Sequence, residues 1–256
     1  MNNRLNAGLR REGRRVPGAG LRPGEWGRWS ALGAAVGVAA AALVVGLLLA
    51  GGAAWAGEVR RLDDFTRTYE PDEAPEPWST RLSVDFFQFV HNSEEEHYIH
   101  LKTGEDGSGL VGIEDEFQLQ DWPILEWEWR VTQLPKGGDV RDGDKDDQAG
   151  NVCIGYDPTF YGTVDVSLCY LFENEGPVGT EGTSVANTDT KYVILRAADT
   201  DKVGEWYKES RNIYEDFKRL HGFEPEEAVV LGFYIDSDDT ETSAEAYYRN
   251  VYQKKP

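Results

Sequence analysis

The chain has 256 residues, 28% of them charged, a formal net charge of −20 at neutral pH and two cysteines, Cys153 and Cys169. So acidic a body excludes nucleic acid as a partner, because phosphate binding needs a basic face and none is visible. The sequence also lacks a phosphate loop, a dinucleotide fingerprint and a Gly-x-Ser-x-Gly elbow, which removes the common enzyme classes built on them.

The charge falls in three zones. Residues 1–30 carry seven arginines against two glutamates, and residues 31–56 carry no charge. The remaining 200 residues hold 44 acidic and 19 basic side chains. The uncharged zone, "ALGAAVGVAAAALVVGLLLAGGAAWA", is long enough to span a bilayer, which takes about 20 apolar residues. Positive flanks stay cytoplasmic, so residues 1–30 form a basic cytoplasmic leader. The acidic body is then expected in the cell envelope, on the periplasmic or extracellular side. "AWA" at 54–56 fits the small-x-small pattern of a cleaved signal, whereas the run exceeds the usual signal core of about 7–15 residues. Residues 31–56 are therefore expected as a transmembrane anchor or as a signal h-region, and both readings stay open.

Residues 57–78, ending in "YEPDEAPEPW", read as a proline-punctuated acidic linker. Residues 79–256 read as one domain with a sizeable core. Short apolar runs separated by Gly, Asp, Asn and Ser clusters predict an all-β sandwich or barrel. The clearest strands span 98–102, 124–131, 151–157, 164–173, 191–197, 228–236 and 245–253. In "ILEWEWRV", Trp127, Trp129 and Val131 share one face, and Glu126, Glu128 and Arg130 share the other. "AVVLGFYI" is apolar on both faces, which marks a central strand. One helix is expected in "RNIYEDFKRLHG", capped by Asn212 with Glu215 three residues on and stopped by Gly222.

Several side-chain groups are candidates for chemistry. "NVCIGYD" and "VSLCYLFE" flank the turn-rich "PTFYGT", and symmetric antiparallel pairing across that loop places Cys153 opposite Cys169. Export makes a disulfide between them permissible, while two reduced, buried cysteines are the alternative. Glu126 and Glu128 sit two apart, as the carboxylates of some glycosidases do, yet with Arg130 they equally form an ordinary charge ladder. His97 and His100 lie on opposite strand faces, and neither His91 nor His221 has metal-ligand spacing, so zinc is not expected. His221, in the last helical turn, is expected to complement the helix dipole.

Two acidic loops remain, "GGDVRDGDKDDQAGN" and "DSDDTE". Hard oxygen donors gathered at loop ends suit calcium, although neither loop fits the EF-hand pattern. Asp/Gly-rich turns are also commonly just solvated. Tyr234, Tyr247 and Tyr248 flank the second loop and are candidates for stacking on a sugar, with core packing as the competing role.

From Trp122 to Tyr252 the chain resembles an exported bacterial family known as domain of unknown function 3047. The resemblance rests on "WPILEWEWRV" with a following "LP", on "DDQAGNVCIGY", on "LCYLFEN", on Trp206 and on "RNIYEDFKRLHGFEP". It ends with "VVLGFYIDSDDTETSAEAYYRNVY". It implies a jelly-roll-like antiparallel β-sandwich with one short helix, a fold that also hosts carbohydrate-binding modules. It also implies that Asp146, Asp147, Asp236 and Asp238 belong to the family motif, and these are the expected calcium ligands. It supplies no catalytic residue and supports neither the disulfide nor Glu126 and Glu128. The functional expectation is a non-catalytic envelope module for a polysaccharide or other extracellular ligand, calcium being the one cofactor considered. An accessory subunit, anchored beside a membrane protein complex, is the alternative. A carbohydrate-active enzyme is the weakest reading.

Overall fold

A computed structural model of the chain describes residues 57–66, 74, 76–81, 86–91, 97–104, 107–156, 166–225 and 228–256. The leader and the apolar run expected over 1–56 lie outside the described residues. Among the described residues, no helix is long and apolar enough to cross a membrane.

Among the described residues, thirteen strands and one helix occur in the order β1 (Val59–Asp63), β2 (Trp78–Arg81), β3 (Phe86–His91), β4 (His97–Thr103), β5 (Ser108–Phe117), β6 (Ile124–Gln133), β7 (Gly150–Tyr156), β8 (Val166–Glu173), β9 (Glu181–Thr183), β10 (Thr190–Ala197), β11 (Tyr207–Asn212), α1 (Ile213–His221), β12 (Ala228–Asp236) and β13 (Ala244–Lys254). They build two sheets. One runs β11-β6-β13-β4-β3, with β1 also pairing β13, and the other runs β2-β5-β12-β7-β8-β10-β9.

The core lies between the sheets and follows from period-2 alternation. On β6, Leu125, Trp127, Trp129 and Val131 are buried and every intervening side chain is partly exposed. From the other sheet, Val152 and Ile154 of β7, Leu168, Tyr170 and Phe172 of β8, and Leu231, Phe233 and Ile235 of β12 meet them. Each fully buried large side chain of this kind contributes on the order of 2–3 kcal/mol. Because the strand period is two, alternate residues of β7, β8 and β12 must point away from this core. The candidate site is built on that outward set.

Two expectations are corrected. The segment expected as a linker contains β1, whose register runs Val59↔Lys254 to Asp63↔Val251. Asp63 anchors it, accepting from Phe65 N at 2.8 Å and from Trp78 Nε1 at 2.8 Å. An acidic, proline-flanked stretch with one aliphatic pair carries too little local pattern to reveal a strand that adds to a distant edge. The sandwich is also not wholly antiparallel. β8 and β10 pair in parallel from Thr190↔Ser167 to Ala197↔Glu173. The connection between them folds β9 back on β10 before the chain returns alongside β8.

The helix forms as its caps dictate. Asn212 Oδ1 accepts from Glu215 N at 3.1 Å, and Gly222 closes the helix at φ 78°, a left-handed conformation costly for residues with a Cβ. Ile213 and Phe217 insert into the main core. Buried Asp216 accepts from Tyr170 OH at 2.8 Å and from Arg211 and Arg219, which ties the helix to β8 and β11.

Candidate functional site

The outward residues of β12, β7, β8 and β10 line a groove of about 370 Å³ on the outer face of the second sheet. Val230, Gly232, Tyr234 and Asp236 come from β12, Asn151, Cys153 and Gly155 from β7, and Ser167, Cys169 and Leu171 from β8. The β6–β7 connection supplies Asp146 and Gln148, and the β9–β10 turn supplies Ser184 and Asn187. These two segments are tied to one another, since Ser184 Oγ donates to Asp146 Oδ2 at 3.0 Å. A Cβ on Gly232 would come within 2.5 Å of Leu110 Cδ1, so the Leu110 side chain would have to turn aside.

The lining mixes apolar side chains, among them Leu110, Val140, Leu171, Tyr192 and Val230, with polar and acidic ones and holds no basic side chain. Asn151 is 1% exposed, and its Nδ2 has no hydrogen-bond partner. The Tyr234 hydroxyl donates to Asp236 Oδ2 at 2.7 Å and lies 2.7 Å from Ser108 Oγ. Asp236 is 8% exposed, and its other oxygen, Oδ1, has no donor. Burial pushes the Asp236 carboxyl up to about 8, with the neighbouring Asp238 and Asp147 carboxyls adding to the rise and the Tyr234 hydroxyl opposing it. Asp146 is also raised, chiefly by burial and further by Asp147, against hydrogen bonds from Gln148 and Ser184.

The two acidic loops meet across the fold. Asp236 N donates to Gln148 O at 2.9 Å. Asp147 is fully buried, and its carboxylate accepts from Asp239 N at 3.2 Å, Thr240 N at 2.6 Å and Thr240 Oγ1 at 2.5 Å. Asp147 thus holds the turn after β12. Ligand atoms of Asp147, Asp238 and Asp239 lie within 4.8 Å of one another, and Asp238 also stands against Asp236. Asp146, expected in this set, turns away to Gln148 and Ser184. Asp239 takes its place because Asp147, at the base of the turn, draws in the backbone of residues 239 and 240.

The three candidate tyrosines do not share a site. Tyr234 lines the groove. Tyr248 is 0% exposed, stacks on Phe233 at 4.2 Å and accepts from Asn151 N, so it is a core residue and unavailable to a ligand. Tyr247 lies on the outer face of the other sheet, stacked on His100 at 4.2 Å with the Arg130 guanidinium 4.3 Å from its ring. Adjacent positions on one strand point to opposite faces, which separates the pair.

Cys153 and Cys169 are register partners joined by a disulfide, with Cα atoms 4.1 Å apart, on the groove floor. Glu126 pairs with Lys208 and Lys254, and Glu128 with Arg249, so these glutamates form the charge ladder. His221 sits in the last helical turn, among its basic residues. Its Nε2 lies 3.0 Å from Ser167 O, its ring stacks on Phe217, and burial lowers its pKa. Sequence reasoning passed over Gln148, Asn151 and Ser184. Asn151 could have been found by counting back two residues from Cys153 along the same strand face.

A family model for proteins of unknown function, DUF3047, matches residues 85–252. The chain belongs to this family. No curated protein matches it. Among solved structures, the DUF3047 chain is similar to a family 11 carbohydrate-binding module of a cellulosomal cellulase of Clostridium thermocellum. That match has 9% identity and a TM-score of 0.40 and covers 78% of this chain and 96% of that one. The xyloglucanase domain of a type three effector from Sinorhizobium fredii, in complex with cellobiose, matches at 9% identity and TM-score 0.42, over 72% and 95% of the two chains. A family 29 carbohydrate-binding module from Piromyces equi matches at 6% identity and TM-score 0.35, over 78% and 92%. Likeness this distant carries no inference about ligand or activity.

Proposed function

We propose that this DUF3047 protein is a binding module of the cell envelope whose groove takes a neutral saccharide. One observation carries the reading: a groove of about 370 Å³ combines the Tyr234 ring with amide and hydroxyl side chains and no basic residue. Amides and hydroxyls match the donor and acceptor pattern of sugar hydroxyls, and an aromatic ring offers a flat apolar surface. The carboxyls of Asp146 and Asp239 disfavour uronates, phosphates and sulfates, which points to an uncharged ligand. Asn151 Nδ2, a buried donor without a partner, is the group that a ligand hydroxyl satisfies. The envelope location rests on the basic leader and apolar run, which also supply a membrane attachment if the run is retained.

Titration calorimetry against a panel of neutral oligosaccharides tests this. At least one member is expected to bind, with affinity reduced about tenfold or more in Asn151→Ala, the loss of one buried hydrogen bond. Failure of every member to bind, or binding unchanged in Asn151→Ala, refutes the groove as the saccharide site.

A further inference from the structure

Many carboxylates of this protein sit beside a cation. Asp139 pairs with Arg141, Asp142 with Lys145, Asp201 with Arg196, Asp216 with Arg211 and Arg219, and Glu245 with His100. Asp147, Asp236, Asp238 and Asp239 are gathered at the loop after β12, and among the described residues no Lys, Arg or His forms an ion pair with any of them. Four carboxylates without a counter-charge repel one another at a cost that grows as water is withdrawn.

A second observation points into the same cluster. Asp236 is more than nine-tenths buried, and its Oδ1 has no donor, although Oδ2 of the same group is held by Tyr234. What faces Asp236 is the carboxyl of Asp238. Two ionised carboxylates are both acceptors, so their contact is favourable only with a proton or a cation between them, and a bound cation takes the place of the proton. The remaining geometry suits a hard cation. The ligand atoms of Asp147, Asp238 and Asp239 lie within 4.8 Å of one another. Asp147 is fixed in place by the backbone N–H groups of 239 and 240, so its orientation is set before any ion arrives. Asp238 and Asp239 are exposed, which leaves an entry path and room for water ligands.

We infer that Asp147, Asp236, Asp238 and Asp239 form a divalent-cation site of the calcium type, closing the turn between β12 and β13. Oxygen-only donors and an irregular, partly solvated shell are the features calcium accepts and zinc does not. Asp236 and Asp239 also line the groove, so the ion braces one of its walls.

The test uses the full chain and calcium alone. Melting is followed in excess chelator and at rising calcium, and terbium emission excited through the protein's tyrosines and tryptophans reports occupancy directly. The midpoint is expected to rise by several degrees and to keep climbing with the logarithm of free calcium. Terbium emission should appear and be displaced by calcium. Both responses should be lost in Asp238→Asn/Asp239→Asn, whose substitutions are exposed, and reduced in Asp239→Asn alone. In chelator, the double variant should melt above the wild type, because it removes repulsion that no ion then screens. Equal midpoints in calcium and chelator overturn the site. So does a calcium response of equal size in the double variant, which would mark diffuse binding to an acidic surface. No saccharide enters these measurements, so the cation site and the saccharide reading stand or fall separately.

Discussion

Glu173 offers the sharpest test of the electrostatics of this fold. It ends β8 at 0% exposure, and the donors to its side chain are backbone groups, Asn174 N at 3.2 Å on Oε2 and Val140 N. Oε1 has none. Burial, with Asp139 and Asp146 nearby, pushes the carboxyl from 4.5 up to about 8, so at neutral pH the folded protein holds a proton that the unfolded chain releases. The sign follows from linkage. The folded pKa lies above the unfolded one, so stability is fully present below pH 4.5 and is lost as pH rises towards 8. Each pH unit in that window costs the wild type a factor of about ten in its folding equilibrium, about 5 kcal/mol in all as an upper bound. Glu173→Gln keeps the shape of the protonated acid and cannot ionise. Urea unfolding of both proteins at pH 5, 6, 7 and 8 is expected to show the variant gaining on the wild type with every step, then levelling off above pH 8. Taking the difference cancels the other titrating groups. A gap that stays constant across the range would refute the buried, protonated glutamate.

Two further outcomes test how the elements are joined. Asp216→Asn removes the charge that Arg211 and Arg219 share beside Tyr170, and a loss of about 2–3 kcal/mol is expected. The loss stays below the value for a fully buried pair because both arginines keep some solvent. An unchanged urea midpoint would show that the helix is held by Ile213 and Phe217 alone. Tyr248→Phe keeps the stack on Phe233 but deprives Asn151 N of its acceptor, and a loss of about 1–2 kcal/mol is expected in the same assay. A neutral result would mean that water replaces the hydroxyl in the core.

The sequence by itself determined everything that depends on period and on local caps. The alternation of β6 named the faces of Trp127 and Trp129. The runs at 151–157, 191–197 and 228–236 read as strands, and Asn212 and Gly222 bounded the helix. The motif order from Trp122 to Tyr252 pointed to the family whose model matches residues 85–252. These signals are short-range, so the chain carries them before it folds. What only the tertiary structure decided is what depends on which strand lies beside which. β1 exists because β13 offers it an edge, and β10 lies parallel to β8 with β9 folded back on its outer side. Tyr247 and Tyr248 part to opposite faces of one strand, and Tyr248 leaves the candidate site for the core. The acidic stretch "DSDDTE" and the distant "DDQ" meet because Asp147 caps the turn of 239 and 240, a contact spanning more than ninety residues. No local pattern records a contact of that range. It arises from the register of β12 against β7, which sets Asp236 beside Gln148 and turns one polar loop into the wall of a groove.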